Sequence, residues 1–381
     1  MNCKKWLSTW GNAPSYAERR VENYTKNVTL RYVVRSAFDG EKIRLTFSNV
    51  CNAENVTIDR VSIALTGNDP CSVDTSSLKT VTFGGKEAFT MEPGQYVQSD
   101  EIDFSVKKGQ DLSVSFYFGN ITLVNCGTAT SGNLSLRFLT EGDRTREESF
   151  PVDCKHVDAY YRFLNTVDVL TDEKCRSVVA FGDSITSMAW PEILHQMCLD
   201  NGKDTGIVRR AISGSRILRQ YDAISYRHYG PVGTKRIHHE LDASMSDTVV
   251  VLHGINDIIH PDGINPLRPM SHFPSAEDLI EGLRVYIKKA HENGMKIYLC
   301  TIMPIEGWRT YADFRNEVRC LVNDWIRTQS EADGIVDLDL AVRDTEKPNA
   351  LSPIFDKGDH LHPSDAGSKA IAETVYKAIF E

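Results

Sequence analysis

The hydrophobic pattern of this chain changes its period once, near residue 165, and that change restricts it to two unlike halves. Before it, apolar and polar residues alternate. Ile43, Leu45 and Phe47 fall on one side, Lys42, Arg44 and Thr46 on the other. Val56, Ile58, Val61, Ile63 and Leu65 predict a further strand, bulged near Asp59-Arg60. Ile102, Phe104 and Val106 continue the series, then Leu112, Val114, Phe116 and Phe118, then Leu134, Leu136 and Phe138. Asp39-Gly40, Gly84-Gly85, Pro93-Gly94 and the stretch Lys107 to Gln110 supply turns between them. A period of two puts alternate side chains on opposite faces of a sheet. Many short strands with regular turns predict an all-β sandwich.

After residue 165 the strands read as short apolar runs, as expected where both faces are covered. Ser177 to Phe181, Val249 to Leu252, Lys296 to Ile302 and Ile335 to Leu338 are four such runs. Helical spacing lies between them: Leu279, Ile280, Leu283, Tyr286, Ile287 and Ala290 recur at steps of three and four. Ser275 with Asp278 predicts the cap of that helix and Asn293-Gly294 its end. Ala366 to Phe380, behind Ser364, predicts a closing helix. Alternating strands and helices imply a parallel α/β sheet, whose sites form beyond the carboxyl ends of its strands. The expected division is therefore a sandwich over 1–165 and an α/β domain over 166–381, which suits a chain of 381 residues.

The net charge of −9 and the scattered Lys and Arg exclude nucleic acid as the main partner. No apolar stretch approaches the length of a membrane span, so no membrane partner is expected. The start, Met1 to Trp6, carries two lysines with no apolar stretch behind them, and Trp10 to Pro14 reads as a loop. Nine cysteines stand at irregular spacing with no C-x-x-C pair, which reads as reduced thiols. Both features predict a cytoplasmic protein, or a secreted one whose leader has been removed. Asn-x-Ser/Thr triplets at Asn23, Asn27, Asn55, Asn120 and Asn133 are read as unmodified.

Four loop segments carry chemistry. Gly182-Asp183-Ser184 follows a strand and opens a helix, so the Ser184 hydroxyl is presented near helix-start amides; taken alone it also reads as a helix cap. Ser213-Gly214-Ser215 can offer an unshielded amide, or be a plain turn. Gly254-Ile255-Asn256-Asp257 follows another buried strand, and Asn256 can aim a side-chain N–H at a developing oxyanion. In Asp359-His360-Leu361-His362-Pro363, an aspartate three residues before a histidine can accept its Nδ1–H and leave Nε2 free as a base. His360, adjacent to Asp359, is poorly placed for that bond.

Together these segments resemble the four blocks of the SGNH (GDSL-like) hydrolase superfamily, centred on Ser184, Gly214, Asn256 and His362. The resemblance covers about residues 175 to 380. It extends more softly to bacterial two-domain members with an N-terminal β-sandwich, through Trp10 to Pro14, Arg44 to Asn49, Thr82 to Gly85, Val322 to Ile326 and Gly358 to Pro363. Ile185 stands where the GDSL signature has leucine, and Ser225 to Glu240 matches no block.

The resemblance implies a flavodoxin-like three-layer α/β/α domain behind a jelly-roll-like sandwich. It implies a serine esterase with Ser184 as nucleophile, His362 as base and Asp359 as orienting acid; Asp356 and Asp365 lie close enough in sequence to compete for the last role. The Ser184 and Gly214 amides and the Asn256 side chain form the implied oxyanion hole, and no cofactor is implied. Some members of the two-domain subgroup remove acetyl groups from plant polysaccharides such as xylan, so the expected substrate is an acetylated oligosaccharide or a small ester. A lysophospholipase, lipase or acyl-thioesterase, and a non-catalytic sugar-binding protein, are the alternatives.

Asp183, Trp190 and Trp308 are further candidates for substrate contact, although a tryptophan in an α/β domain is more often core packing and Asp183 is expected to brace its loop. His238, His239, His253 and His260 fit no zinc template, so no metal is expected. A homo-oligomer stays open.

Overall fold

The structure is a computed structural model that describes residues 3–16, 23–130, 135–151 and 160–381. Asn133 of the fifth triplet and Leu134 of the expected strand lie outside the described residues. The chain divides into two compact units, one of Met1–Ser177 with Cys198–Val208 and Ala243–Met245, the other of Val178–Met197, Arg209–Asp242 and Ser246–Glu381.

The first unit consists mostly of strands in antiparallel sheets. One sheet orders Lys4–Gly11, Leu164–Asp172, Gly40–Ser48 and Ile102–Val106, with Tyr96–Gln98 also on Gly40–Ser48. The other orders Ser135–Glu141, Val28–Arg35, Asp111–Phe118, Arg60–Leu65 and Lys79–Val81. Their alternating apolar residues meet in a single core that includes Ile43, Leu45 and Phe47 from the first sheet and Tyr32, Val114 and Phe116 from the second. Phe116 sits edge-on to both Phe47 and Tyr32, at ring separations of 5.4 and 5.2 Å, an arrangement that aromatic quadrupoles favour.

Two expectations change here. The run Val56 to Leu65 is two strands rather than one bulged strand. Val56–Ile58 pairs with Phe89–Met91, whereas Arg60–Leu65 pairs with Asp111–Phe118. Asp59 is the crossing point, with its carboxylate accepting from the Gly119 amide at 2.7 Å. A boundary at 165 falls inside the strand Leu164–Asp172, which pairs along both edges with Lys4–Gly11 and Gly40–Ser48. The opening stretch of the first unit runs on to Ser177.

A further sheet, most of whose residues fall in the second unit, has the order Thr205–Ala211, Arg176–Gly182, Thr248–Leu252, Lys296–Cys300, Gly334–Val336. The last four run parallel to their neighbours, and helices alternate with them along the chain. Ala276–Glu292 has the full capping box of Ser275 and Asp278, and Asp365–Phe380 is capped by Ser364. The last two strands are shorter than the apolar runs suggest. Cys300 ends the first, and Leu338 opens a short helix, Leu338–Val342, capped by Asp337. The strand Thr205–Ala211 is fully buried yet was not among the four expected. Arg209 and Arg210 break its apolar run; Arg209 lies 3.6 Å from Glu192, which offsets part of the cost of burying its charge. Among the described residues no helix is long and apolar enough to cross a membrane.

Candidate active site

The strand Arg176–Gly182 ends at a glycine because nothing larger fits. A Cβ on Gly182 would lie 2.3 Å from both the Leu252 carbonyl oxygen and Thr186 Oγ1. The chain then turns into the short helix Ser184–Ser187. Asp183 caps it by accepting the Ile185 amide at 3.1 Å. Ser184 is its first residue, so its own amide has no acceptor within the helix. The Gly182 carbonyl receives the Ile212 amide at 3.1 Å and the Arg236 guanidinium at 2.9 Å, which fixes the end of the strand.

Asp359, Leu361 and His362 form a closed loop before the last helix. One oxygen of Asp359 accepts the amides of Leu361 and His362, at 3.1 and 2.8 Å. The other lies 2.7 Å from His362 Nδ1. His362 Nε2 lies 2.8 Å from Ser184 Oγ. Burial works to raise the Asp359 carboxyl, but the His362 amide and ring and the Leu361 amide outweigh it and hold the group below its ordinary value. Asp356 takes no part in this chain of contacts, because its carboxylate holds His360 Nδ1 at 2.8 Å. Asp365 is in the first turn of the closing helix.

Gly214 has φ +81°, and a Cβ there would fall 2.2 Å from the ring of Tyr229. Both facts require glycine. Asn256 is 3% exposed, and its Nδ2 donates to the Ser215 carbonyl at 3.0 Å. That bond uses one hydrogen of the amide and fixes its plane, so the direction of the second N–H is set. Asp257 accepts the amides of Ile217 and Leu218, at 2.8 and 3.0 Å, and so ties the loop carrying Gly214 to the loop carrying Asn256. Burial pushes the Asp257 carboxyl up to about 6 against these two amides, and the Asp183 carboxyl up to about 7 against the Ile185 amide.

His253 supports the same loop. Its Nε2 lies 2.9 Å from Ser215 Oγ and its Nδ1 2.9 Å from the Tyr286 hydroxyl. Burial, with Arg236 nearby, pushes it well below the ordinary histidine value, so it is a neutral bridge. Ser215, His253 and Tyr286 were not singled out as a group from the sequence. Nothing in their spacing marks them, since they come from three separate segments. Tyr229 does lie in the unmatched stretch Ser225 to Glu240, which was the available signal.

The candidate substrate contacts separate. Trp190 is 0% exposed and Asp183 is 1% exposed, so neither offers a surface to substrate. Trp190 is core at the start of the helix Trp190–Asp200, and Asp183 is a cap. Trp308 is half-buried, with its ring edge-on to His362 at 6.4 Å. Among the described residues, no three His, Cys, Asp or Glu side chains are grouped to hold a metal. His253 and His260 are engaged elsewhere, His260 by the Tyr221 hydroxyl at 3.1 Å.

Against known proteins, the model of the GDSL-like lipase/acylhydrolase family matches residues 180–370, a span holding Ser184, Gly214, Asn256, Asp359 and His362. Among solved structures the chain is similar to a GDSL-like lipase from Bacteroides thetaiotaomicron, at 18% identity over 53% of this chain and 86% of that one, TM-score 0.40. It is similar to a variant of an acetyl xylan esterase from Geobacillus stearothermophilus, at 17% identity over 53% and 93%, TM-score 0.39. A psychrotrophic esterase from Pseudoalteromonas is similar at 17% identity over 54% and 96%, TM-score 0.38. No curated protein sequence matches the chain.

Proposed function

The chain belongs to the GDSL-like lipase/acylhydrolase family, and from that premise we propose that it is a serine esterase that removes acetyl groups from acetylated oligosaccharides. The observation that carries this reading is the unbroken contact from Ser184 Oγ to His362 Nε2 and from His362 Nδ1 to Asp359, at 2.8 and 2.7 Å. In this reading Ser184 Oγ attacks the ester carbonyl while His362 Nε2 takes its proton. Asp359 fixes the tautomer and stabilises the imidazolium. The oxyanion receives N–H donors from Ser184, Gly214 and Asn256, each worth about 100- to 1,000-fold in rate. His362 returns the proton to the leaving sugar oxygen. A water, deprotonated by the same nitrogen, then attacks the acyl-enzyme and releases acetate.

The sugar part of the proposal is supported by Trp308, a half-buried aromatic ring 6.4 Å from the His362 ring, since aromatic side chains suit contact with the apolar side of a pyranose. The resemblance of the chain to the two-domain subgroup supports it independently. All of these groups lie in the second unit, and we assign the chemistry to that unit.

Labelling with a fluorophosphonate, followed by peptide mapping, tests the nucleophile. The adduct is expected on Ser184, and Ser184→Ala is expected to abolish both labelling and turnover of 4-nitrophenyl acetate without changing the circular dichroism. Retained turnover in that variant defeats the assignment. A series of nitrophenyl esters tests the acyl group: acetate is expected to exceed butyrate and longer chains, and the reverse order favours a lipase.

A further inference from the structure

Next to Gly214 and Asn256 stands a second serine–histidine pair. Ser215 Oγ lies 2.9 Å from His253 Nε2, and His253 Nδ1 lies 2.9 Å from the Tyr286 hydroxyl. Ser184 and His362 are half-buried. Ser215, His253 and Tyr286 are instead 1%, 3% and 0% exposed, so this pair offers no nucleophile to a substrate. Phe181 sits edge-on to both rings, at 5.6 Å from His253 and 5.2 Å from Tyr286. Polar groups in so apolar a setting are costly unless each is bonded, so the direction of every bond in the series matters.

The donors available fix those directions. Burial holds the Tyr286 phenol well above its ordinary value, so it keeps its proton. Burial and Arg236 keep the His253 ring neutral, so one ring nitrogen donates and the other accepts. Among the described residues, the Tyr286 hydroxyl has His253 Nδ1 as its one hydrogen-bond partner. Were Nδ1 the donor, the phenol proton would be buried without an acceptor. Tyr286 O–H therefore donates to Nδ1, and Nε2–H donates to Ser215 Oγ. The Ser215 hydroxyl then has the Gly182 carbonyl, at 3.5 Å, as its acceptor.

The series ends on groups that the proposed reaction uses. Gly182 closes the strand that leads into Ser184. Ser215 follows Gly214, and its carbonyl accepts Asn256 Nδ2 at 3.0 Å. The Ser215 amide donates to the Ile212 carbonyl at 3.1 Å, so backbone and side chain hold this residue together. A Cβ on Gly233 would lie 2.1 Å from the Tyr286 oxygen and 2.9 Å from His253 Cε1, so the start of the helix Gly233–Asp242 packs directly on the series.

We propose that His253 is a positioning residue: bonded to Tyr286 on one side and Ser215 on the other, it holds the Asn256 side chain, through the Ser215 carbonyl, in the orientation that meets the oxyanion. This rests on the esterase reading above and adds to it a group that touches no reacting atom. A donor fixed in advance needs no reorganisation when the oxyanion forms, and that is how such a donor accelerates the reaction.

Tyr286→Phe and Ser215→Ala test this. The first removes the hydroxyl and keeps the ring; the second keeps the carbonyl that holds Asn256. Each is expected to lower kcat for 4-nitrophenyl acetate by about 10-fold with KM little changed. In an Asn256→Ala background each is expected to cost less than about 2-fold, because the group it orients is gone. Losses that multiply in full in that background are those of a merely structural role and overturn the proposal. Tyr286→Phe preserves the packing, so it reads the proposal even if Ser215→Ala fails to fold. Nuclear magnetic resonance of the ring nitrogens reads the series without turnover. His253 is expected to be neutral at about pH 6 with its proton on Nε2; a proton on Nδ1 breaks the series at Tyr286 and overturns the proposal. Absence of turnover in the unsubstituted protein counts against the esterase reading alone. Turnover that neither substitution lowers counts against the positioning role alone.

Discussion

His360 Nδ1 lies 2.8 Å from Asp356, so the two imidazoles of one loop each have a carboxylate of their own. His360 also has φ +63°, and its ring packs where a side chain on Gly307 would otherwise sit. It braces the loop from one side while His362 faces Ser184 from the other. His362→Ala is therefore expected to lower kcat for 4-nitrophenyl acetate by at least about 1,000-fold. His360→Ala is expected to cost about 10-fold or less, by loosening the loop. Equal losses in the two variants contradict the assignment of the base.

Asp359→Asn keeps the shape of the side chain but can no longer stabilise an imidazolium. The expected loss in kcat is about 10,000-fold at most and 100-fold at least. Asp356→Asn is expected to leave kcat within about 10-fold, since its partner is His360. Steady-state rates on the same ester separate the two.

Asn256→Ala removes the proposed side-chain donor and is expected to lower kcat about 100- to 1,000-fold with KM little changed. Gly214→Ala places a methyl group against Tyr229 at a positive φ. It is expected to lower kcat and to cost about 1–3 kcal/mol of stability together, measured by denaturant unfolding.

The two tryptophans give a contrast. Trp190 is enclosed in the core, so Trp190→Ala is expected to cost about 3–5 kcal/mol of stability with little effect on KM per folded molecule. Trp308→Ala is expected to raise KM for an acetylated oligosaccharide while leaving the unfolding midpoint nearly unchanged. A rise in KM for Trp190→Ala without loss of stability would restore it as a substrate contact.

Asp183 predicts a pH dependence of stability. Burial raises its folded pKa from 3.8 to about 7. Below pH 4 the carboxyl is protonated in both states and carries no penalty. As pH rises toward 7 the unfolded chain ionises while the folded chain retains its proton, so stability falls, by up to about 4 kcal/mol in all. Asp183→Asn is expected to unfold at a higher temperature than wild type at pH 8 and at the same temperature near pH 4. A gap that does not change with pH would mean that the group is not buried as an acid.

The one-dimensional pattern determined a good deal. A period of two against continuous apolar runs separated the sandwich from the parallel sheet, because each geometry exposes side chains differently. Turn and cap residues such as Gly182, Ser275 and Ser364 marked where elements stop and start, because their roles are local. Four loop segments pointed to Ser184, Gly214, Asn256 and the Asp359–His362 pair, because an aspartate three residues from a histidine is a local geometry too.

What depends on contacts across the chain was not legible. Ser184 and His362 are 178 residues apart, and only the sheet order brings their loops together. Trp190 and Trp308 are the same residue type after similar strand-to-loop turns, and packing alone put one in the core and the other beside His362. The strand Thr205–Ala211 contains two buried arginines, Arg209 and Arg210, so no continuous apolar run marks it. Whether a charge is buried, and whether an acid lies within reach of it, are properties of the folded surroundings, and no window of sequence contains them.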